Sequence, residues 1–250
     1  MEARSTLAKA TTRLLPQGPF MLLALLLLLG AMACSQDGDT PASSPTFTLE
    51  AGEIRIGLPE PRYDGDVSLE ESLVKRRSVR DYAGEPLALE EVSQLLWAAQ
   101  GTTAEWGGRT APSAGALYPL EVYVIVGDVR NLAAGVYRYD PKGHELVTVA
   151  AGDLRAQLAS AALGQTAVED GAVDLVFTAV YQRTTRKYGD RGVRYVHMEA
   201  GHAAQNVCLQ ATAMGLGAVT IGAFHDEQVS RLLNLPRDEE PLYIISVGKR

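Results

Sequence analysis

Residues 195–214, YVHMEAGHAAQNVCLQATAM, constrain this chain more than any other stretch. Ala200, Ala204, Val207, Ala211 and Met214 recur at spacings of three and four, with Cys208 beside them, so one apolar face runs the length of a single helix. Glu199, His202 and Asn206 recur at the same spacing on another face, while Gly201, Ala203, Ala204 and Ala213 keep the cylinder thin. A thin helix with an ordered polar stripe suits a crowded centre where another backbone comes close, such as a dimer interface or the wall beneath a cofactor. The plainer alternative is a core helix whose three polar groups find hydrogen-bond partners inside the domain. Gly215 and Gly217 end the helix, because glycine enters the left-handed cap position freely. Residues 218–221 then read as a short strand running into Gly222.

The start of the chain is different material. Residues 22–29 are almost pure leucine inside the apolar run 19–33, preceded by Arg4, Lys9 and Arg13 and followed by Cys34. Positive, then apolar, then small residues is the layout of an export signal, and the apolar core is short for a bilayer span. Ala31-Met32-Ala33-Cys34 resembles a bacterial lipobox, with Ala31 where leucine is preferred. These features predict a signal peptide over 1–33 and a lipidated Cys34 as the first mature residue. A polar, turn-forming tether follows over 34–50 and one domain over 51–250. The expected address is outside the cytoplasm, anchored to a membrane through Cys34 on the periplasmic or outer-surface side. An uncleaved short anchor and a misassigned start are the alternatives.

About 200 residues suffice for one domain with a large core. Cys34 and Cys208 are the two cysteines, so no disulfide framework is expected, and Cys208 on an apolar helix face reads as a core residue. The formal net charge of −7 gives no reason to propose a nucleic-acid partner. The sequence has no CxxC pair, HExxH or His/Cys cluster at ligand spacing, so no metal is expected.

Within the domain, Ser68 and Glu71 have capping-box spacing and open a helix carrying Leu69, Leu73 and Val74. It ends near Arg76, Arg77, Ser78 and Arg80, three guanidinium groups and a hydroxyl in five positions. Such a tract matches the oxygens of a phosphate, although a charge run alone is more often wetted surface. Residues 87–100 form an amphipathic helix with Leu89, Val92, Leu95, Leu96 and Ala99 inward. Residues 101–118 turn small and loop-like, and Pro112-Ser113-Ala114-Gly115 offers a hydroxyl and compliant backbone that can grip a ligand. Strands are expected at 121–126, 136–139, 145–150, 174–181 and 243–247, with helices at 153–163 and 226–233. The apolar run DLVFTAVY at 174–181 belongs at the centre of a sheet. Hairpin and crossover links together make an α+β fold more economical than a doubly wound parallel sheet.

RRSVRDY at 76–82, APSAGALYPLEVYVIV at 111–126, the tract 186–224 and YIISVG at 243–248 resemble, in that order, the FMN-dependent nitroreductase superfamily. More narrowly they resemble its SagB-type branch, which includes dehydrogenases that oxidise thiazolines and oxazolines to azoles in ribosomal peptides. The resemblance covers about 180 residues, from Ser68 onward. It implies a central, mostly antiparallel sheet flanked by helices, with FMN at a homodimer interface. By the family pattern Arg76, Arg77, Ser78 and Arg80 hold the FMN phosphate and ring edge, and Pro112, Ser113 and Gly115 approach from the partner subunit. Ile221, Gly222 and Ala223 lie beside the isoalloxazine, Gly222 standing where simpler nitroreductases often have a glutamate. Family members commonly continue past the last strand with basic residues near the phosphate. Here Lys249 and Arg250 are expected to serve as those cations, without an exchanged arm.

The resemblance also explains a domain with no legible triad, since a flavin is the redox centre and the protein positions it. A dehydrogenase must in addition remove a proton, and in the azoline-oxidising relatives a Lys–Tyr pair assigned to that step occupies the place of Lys187-Tyr188. Burial, or nearby Arg186 and Arg191, would lower the lysine's pKa for the task. The same residues read equally well as an exposed connector. His197 and His202 read as packing or interface residues, and His144 and His225 as loop residues without a legible partner. The expected function is an FMN oxidoreductase with ping-pong electron transfer, acting on a small molecule or a peptide. Its substrate is an azoline, or a quinone or nitroaromatic with NAD(P)H as electron donor. The alternatives are reductive dehalogenation and a flavin-free binding lipoprotein, and the RRSVR tract speaks against the second. The exported address ranks the general oxidoreductase above the azoline-specific enzyme.

Overall fold

A computed structural model describes residues 47–50 and 53–250. The expected signal peptide, Cys34 and most of the tether lie outside the described residues. The apolar run of the expected central strand forms β6 (Val173–Ala179), which is buried at every position. It lies between β3 (Leu120–Val126) and β8 (Glu240–Lys249), antiparallel to both. β4 (Gly135–Asp140) and β5 (Glu145–Ala151) form the expected hairpin beyond β3, and β7 (Leu216–Ile221) pairs with β8 on the other side. With β1 (Phe47–Glu50) and β2 (Glu53–Gly57) the order is β1-β2-β5-β4-β3-β6-β8-β7, and every pairing is antiparallel. The fold is α+β, as the mixture of links predicts.

Alternation along β6 divides the core. Leu175 and Phe177 face one cluster, packed against α2 (Leu89–Gln100) and α6 (Arg191–Ala213) through Val92, Leu96 and Val207. Val176 faces the other, built with α3 (Arg155–Ala161), α4 (Thr166–Asp170) and α7 (Asp226–Leu232) through Leu158, Val168 and Val229. The five inward positions expected of α2 are all buried.

The long helix begins earlier than its apolar pattern, at Arg191, and buries Ala200, Ala204, Val207, Cys208 and Ala211 as expected, with Met214 partly covered. Its polar stripe is divided. Glu199 is 2% exposed, Asn206 is half-buried and His202 is exposed, because the loop 101–118 covers one flank of the helix. Asn206 Nδ2 donates to Thr110 O from that loop at 3.4 Å.

Three elements depart from expectation. β1 occupies the end of the stretch read as a tether, and it forms by pairing with β2 at the sheet edge rather than through an apolar pattern of its own. The capped helix is α1 (Leu69–Lys75), but Leu69, Leu73 and Val74 are 60%, 53% and 71% exposed. Its apolar face therefore points out of the domain. The stretch carrying Lys187 and Tyr188, which reads as a connector, instead forms α5 (Gln182–Tyr188), which places both residues in a last helical turn.

Candidate functional site

The arginine tract is held by its main chain. Ser68 Oγ accepts the Glu71 N–H at 3.1 Å and starts α1, which ends at Arg76. Beyond it, Ser78 bridges to Ala218 in parallel and Val79 N–H donates to Ala218 O at 2.9 Å, so the tract adds a short rung to β7. Ala83 N–H donates to Lys249 O at 2.9 Å, and the Tyr82 hydroxyl reaches Val79 O at 3.2 Å and Ser246 O at 3.1 Å. A Cβ at Gly217 would come 2.7 Å from Val79 Cγ1, and one at Gly248 would come 2.7 Å from Tyr82 Cγ. Glycine at both sites lets the tract lie flat on the sheet. Arg77, Ser78 and Arg80 are left exposed. Arg77 Nη1 donates to Val74 O and Arg76 O at 2.8 and 2.7 Å, occupying carbonyls at the end of α1. Among the described residues Arg76, Arg77 and Arg80 form no ion pair with a side chain. Lys249 is engaged otherwise: its Nζ lies 2.5 Å from Glu91 Oε1, so of the two cations expected near a phosphate it is already paired, while Arg250 is exposed.

The second tract is held by side chains. Gly115, Ala116 and Tyr118 have φ of +65°, +53° and +45°, a left-handed region that costs non-glycine residues roughly 1–3 kcal/mol each unless contacts enforce it. Here they do. Ser113 Oγ accepts the Tyr118 N–H at 2.9 Å, the Tyr118 hydroxyl accepts the Arg109 N–H at 3.2 Å, and Arg183 Nη1 donates to Tyr118 O at 3.1 Å. The Arg109 guanidinium lies 4.5 Å above the Tyr118 ring and donates to Gln100 Oε1 at 3.0 Å. A Cβ at Gly115 would sit 2.8 Å from Tyr188 Oη and 2.9 Å from Lys187 Nζ. The 112–115 loop and the Lys187-Tyr188 pair, far apart in sequence, thus meet in one place. Tyr188 packs edge-on against Tyr195 of α6 with centroids 5.2 Å apart, and Lys187 Nζ lies 5.3 Å from the Tyr188 ring. Lys187 is exposed and Tyr188 half-buried in the single chain, so the burial invoked for an activated lysine is not supplied by this chain's own residues.

Glu199 of α6 is buried, with Ser113 and Arg109 in its surroundings. Burial raises its pKa to about 7, against the opposing effects of Ser113 and the nearby Arg109 charge. Its Oε1 has no hydrogen-bond partner among the described residues. The helical spacing marks Glu199 as polar stripe and gives no sign of the loop that covers it. A carboxylate among alanines on a helix otherwise buried is the signal available.

The third tract, at the end of β7, stands apart. Ile221 is buried, whereas Gly222 and Ala223 are exposed, and a Cβ on Gly222 would meet nothing nearer than Tyr243 at 3.7 Å. Ala223 O accepts from Gln165 Nε2 at 3.2 Å. A cavity of about 810 Å³ is lined by Tyr63, Leu69, Trp97, Asn206, Leu209 and Met214 among others, and by none of the residues expected to bind cofactor or catalyse. His144 has the partners that its loop position concealed: Nε2 lies 2.7 Å from Ser93 Oγ and Nδ1 2.9 Å from the Tyr139 hydroxyl.

Residues 73–249 match the nitroreductase family profile, and the chain belongs to that family. A protein of Methanocaldococcus jannaschii named as a nitroreductase is 49% identical over 185 residues, 74% of this chain and 92% of the relative. A crystal structure described as a nitroreductase from Ralstonia eutropha superimposes with a TM-score of 0.70 at 36% identity, covering 82% of this chain and 93% of that one. A chain of the E. coli microcin synthetase McbBCD complex, with truncated pro-MccB17 bound, superimposes with a TM-score of 0.61 at 26% identity, covering 77% of each. Other relatives are longer, this chain spanning 38% of one solved structure and 54% of one curated protein.

Proposed function

We propose that this nitroreductase-family oxidoreductase binds FMN, with the phosphate at Arg76, Arg77, Ser78 and Arg80. The observation that carries this reading is a set of arginines fixed to β7 by their backbone yet free of any carboxylate partner among the described residues. That donor set fits a phosphate, since charge-assisted guanidinium contacts are strongest where no competing anion is present. Arg250 stands as a further cation, and the exposed backbone at Gly222 and Ala223 leaves room for the edge of a planar ring beside Ile221. FMN, when bound, supplies the two-electron chemistry that no side chain here can perform.

The site is completed by a second copy of the chain. Pro112, Ser113 and Gly115 then meet the flavin held by the partner subunit's tract. The exposed Leu69, Leu73 and Val74 of α1 and the apolar cavity beside them are the surface such a copy would cover. Lys187 and Tyr188 stand beside the loop and hold or remove a proton from a substrate placed there. The substrate class is a small electron-accepting molecule, with NAD(P)H as donor. A second reading, oxidation of an azoline in a peptide, is supported by the contact of Gly115 with the Lys–Tyr pair and by the likeness to the peptide-bound microcin synthetase chain. Export through residues 1–33 and lipidation of Cys34 remain part of this proposal, and intact mass of the mature amino terminus tests them.

The deciding measurement is flavin content. Purified protein is expected to be yellow, with near one FMN per chain, and to sediment as a dimer. A colourless protein that takes up no FMN would overturn the assignment.

A further inference from the structure

Residues 183–194, RTTRKYGDRGVR, carry five basic side chains and one acidic, Asp190, a net of +4 in a chain whose formal net charge is −7. On α5, Arg183, Arg186 and Lys187 stand at i, i+3 and i+4, so one face of the helix carries all three. Both ends of that face are fixed to the 112–118 loop. Arg183 Nη1 donates to Tyr118 O at 3.1 Å, and Lys187 Nζ lies 2.9 Å from where a Cβ at Gly115 would sit.

α6 folds straight back on α5. Gly192 N–H donates to Gly189 O at 2.9 Å, a Cβ on Gly192 would come 2.9 Å from Thr185 Cα, and Tyr188 packs on Tyr195 with centroids 5.2 Å apart. Glycine at 192 permits that approach and is buried, which leaves Arg191 and Arg194 exposed on the outer side of the turn. The cations of both helices are thereby brought beside one loop. Arg186, Lys187, Arg191 and Arg194 are all exposed, and among the described residues none of them forms an ion pair, whereas Arg183 is held by Glu121 at 2.6 Å.

Helix energetics do not account for this charge. Arg186 and Lys187 occupy the last turn of α5, where cations are favoured. Arg191 and Arg194 fall among the first four residues of α6, at the positive end of a 23-residue dipole, and Asp190 makes no side-chain cap hydrogen bond there. Charge that works against its own helix, unpaired and beside a candidate site, fits an anionic ligand.

We propose that Arg186, Arg191 and Arg194 form a phosphate-binding patch for the nicotinamide dinucleotide of this site, and that they select its 2′-phosphorylated form, NADPH, over NADH. This rests on the reading that the junction of Gly115 with Lys187 borders the flavin and that a nicotinamide dinucleotide is the electron donor. With the nicotinamide ring at that junction, the phosphates fall on the exposed surface around it, where the two helices present guanidinium groups. Guanidinium forks match phosphate oxygens in pairs. The 2′-phosphate adds roughly −1.5 to −2 of charge at neutral pH, which an exposed cluster of unpaired arginines attracts.

The test is isothermal titration of the full chain with NADP⁺ and with NAD⁺, the oxidised forms, which bind without turnover. The proteins are the wild type, Arg191→Gln, Arg194→Gln, the double variant, and Arg237→Gln, which removes one exposed charge after α7. The wild type is expected to bind NADP⁺ at least about tenfold more tightly than NAD⁺ at low salt, the scale of a charge-assisted contact. That preference should shrink as ionic strength passes about 0.1 M, where the Debye length falls to about 10 Å. Each single variant should cut it about three- to tenfold, the double variant should abolish it, and Arg237→Gln should keep it. Equal wild-type affinity for the two dinucleotides would overturn the proposal, as would a preference that survives in the double variant or is lost in Arg237→Gln. Flavin content is read from the absorbance of the same samples. A protein without FMN that still prefers NADP⁺ through these arginines would overturn the functional reading and leave the patch. A yellow protein indifferent to the 2′-phosphate would do the reverse.

Discussion

At the arginine tract the main chain does the holding, with Val79 on Ala218, Ala83 on Lys249 and Tyr82 laid over Gly217 and Gly248, so that Arg77 and Arg80 stay exposed, Arg77 resting on the Val74 and Arg76 carbonyls. At the loop over α6 the side chains do it, with Ser113, Tyr118, Arg109 and Arg183 enforcing three left-handed residues. The first arrangement lets charge be exchanged without disturbing the fold, and the second ties protonation, packing and ligand contact together. A substitution in the tract should therefore act on affinity alone, and one at the junction on several properties at once.

The largest effect expected is at the junction. If the substrate is an azoline, Lys187→Ala should leave FMN bound while slowing its reduction by that substrate about 10²–10⁴-fold, the range for losing a positioned acid or base. Stopped-flow absorbance separates this from reoxidation by a quinone or nitro acceptor, which should keep its rate. Full-rate reduction by an azoline would rule out proton transfer by Lys187.

In the tract, Arg80→Ala should weaken FMN binding by roughly 1.5–3 kcal/mol, the value of a charge-assisted contact, with little change in thermal midpoint. A midpoint that drops as for a core substitution would erase the contrast between the two regions. Glu199 sharpens it from the other side. Its folded pKa of about 7 lies above the 4.5 of an ordinary glutamate, so the stability it contributes is complete below about pH 4.5 and is lost as pH rises through 7. Thermal unfolding of Glu199→Gln in the absence of ligand should lack that loss and gain on the wild type by about 2–3 kcal/mol between pH 5 and pH 8. Parallel stability–pH curves for the two proteins would show that Glu199 does not titrate in the folded state.

The smallest effect concerns Tyr82→Phe, which removes the hydroxyl between Val79 O and Ser246 O while keeping the ring over Gly248. Urea unfolding should show a loss of about 1 kcal/mol. FMN affinity should barely move, because the two backbone hydrogen bonds still seat the tract. A loss of affinity larger than that of stability would mean that the hydroxyl, and not the main chain, positions the arginines.

Much of the scaffold is legible because its signals are local. An all-apolar strand has to be central, and β6 is; three- and four-residue spacing has to bury one helical face, and α2 and α6 do. The same periodicity misleads at α1, where Leu69, Leu73 and Val74 form an apolar face that the domain leaves uncovered, since spacing records that a face is apolar and not what lies against it. Lys187 and Tyr188 are legible as residue types, yet their tract reads as a connector, because α5 is a short helix secured by packing on α6 through Gly192 against the Thr185 backbone.

By itself, then, the sequence determined the α+β class, the long small-residue helix and the free cysteine in its core, all through short-range pattern. Only the tertiary structure decided that Gly115 meets Lys187 and Tyr188, that Lys249 is paired with Glu91, and that Glu199 lies buried with Ser113 and Arg109 in its surroundings. Those outcomes join residues far apart in the chain. They depend on strand order and on the loss of water around a carboxylate, which no local spacing records.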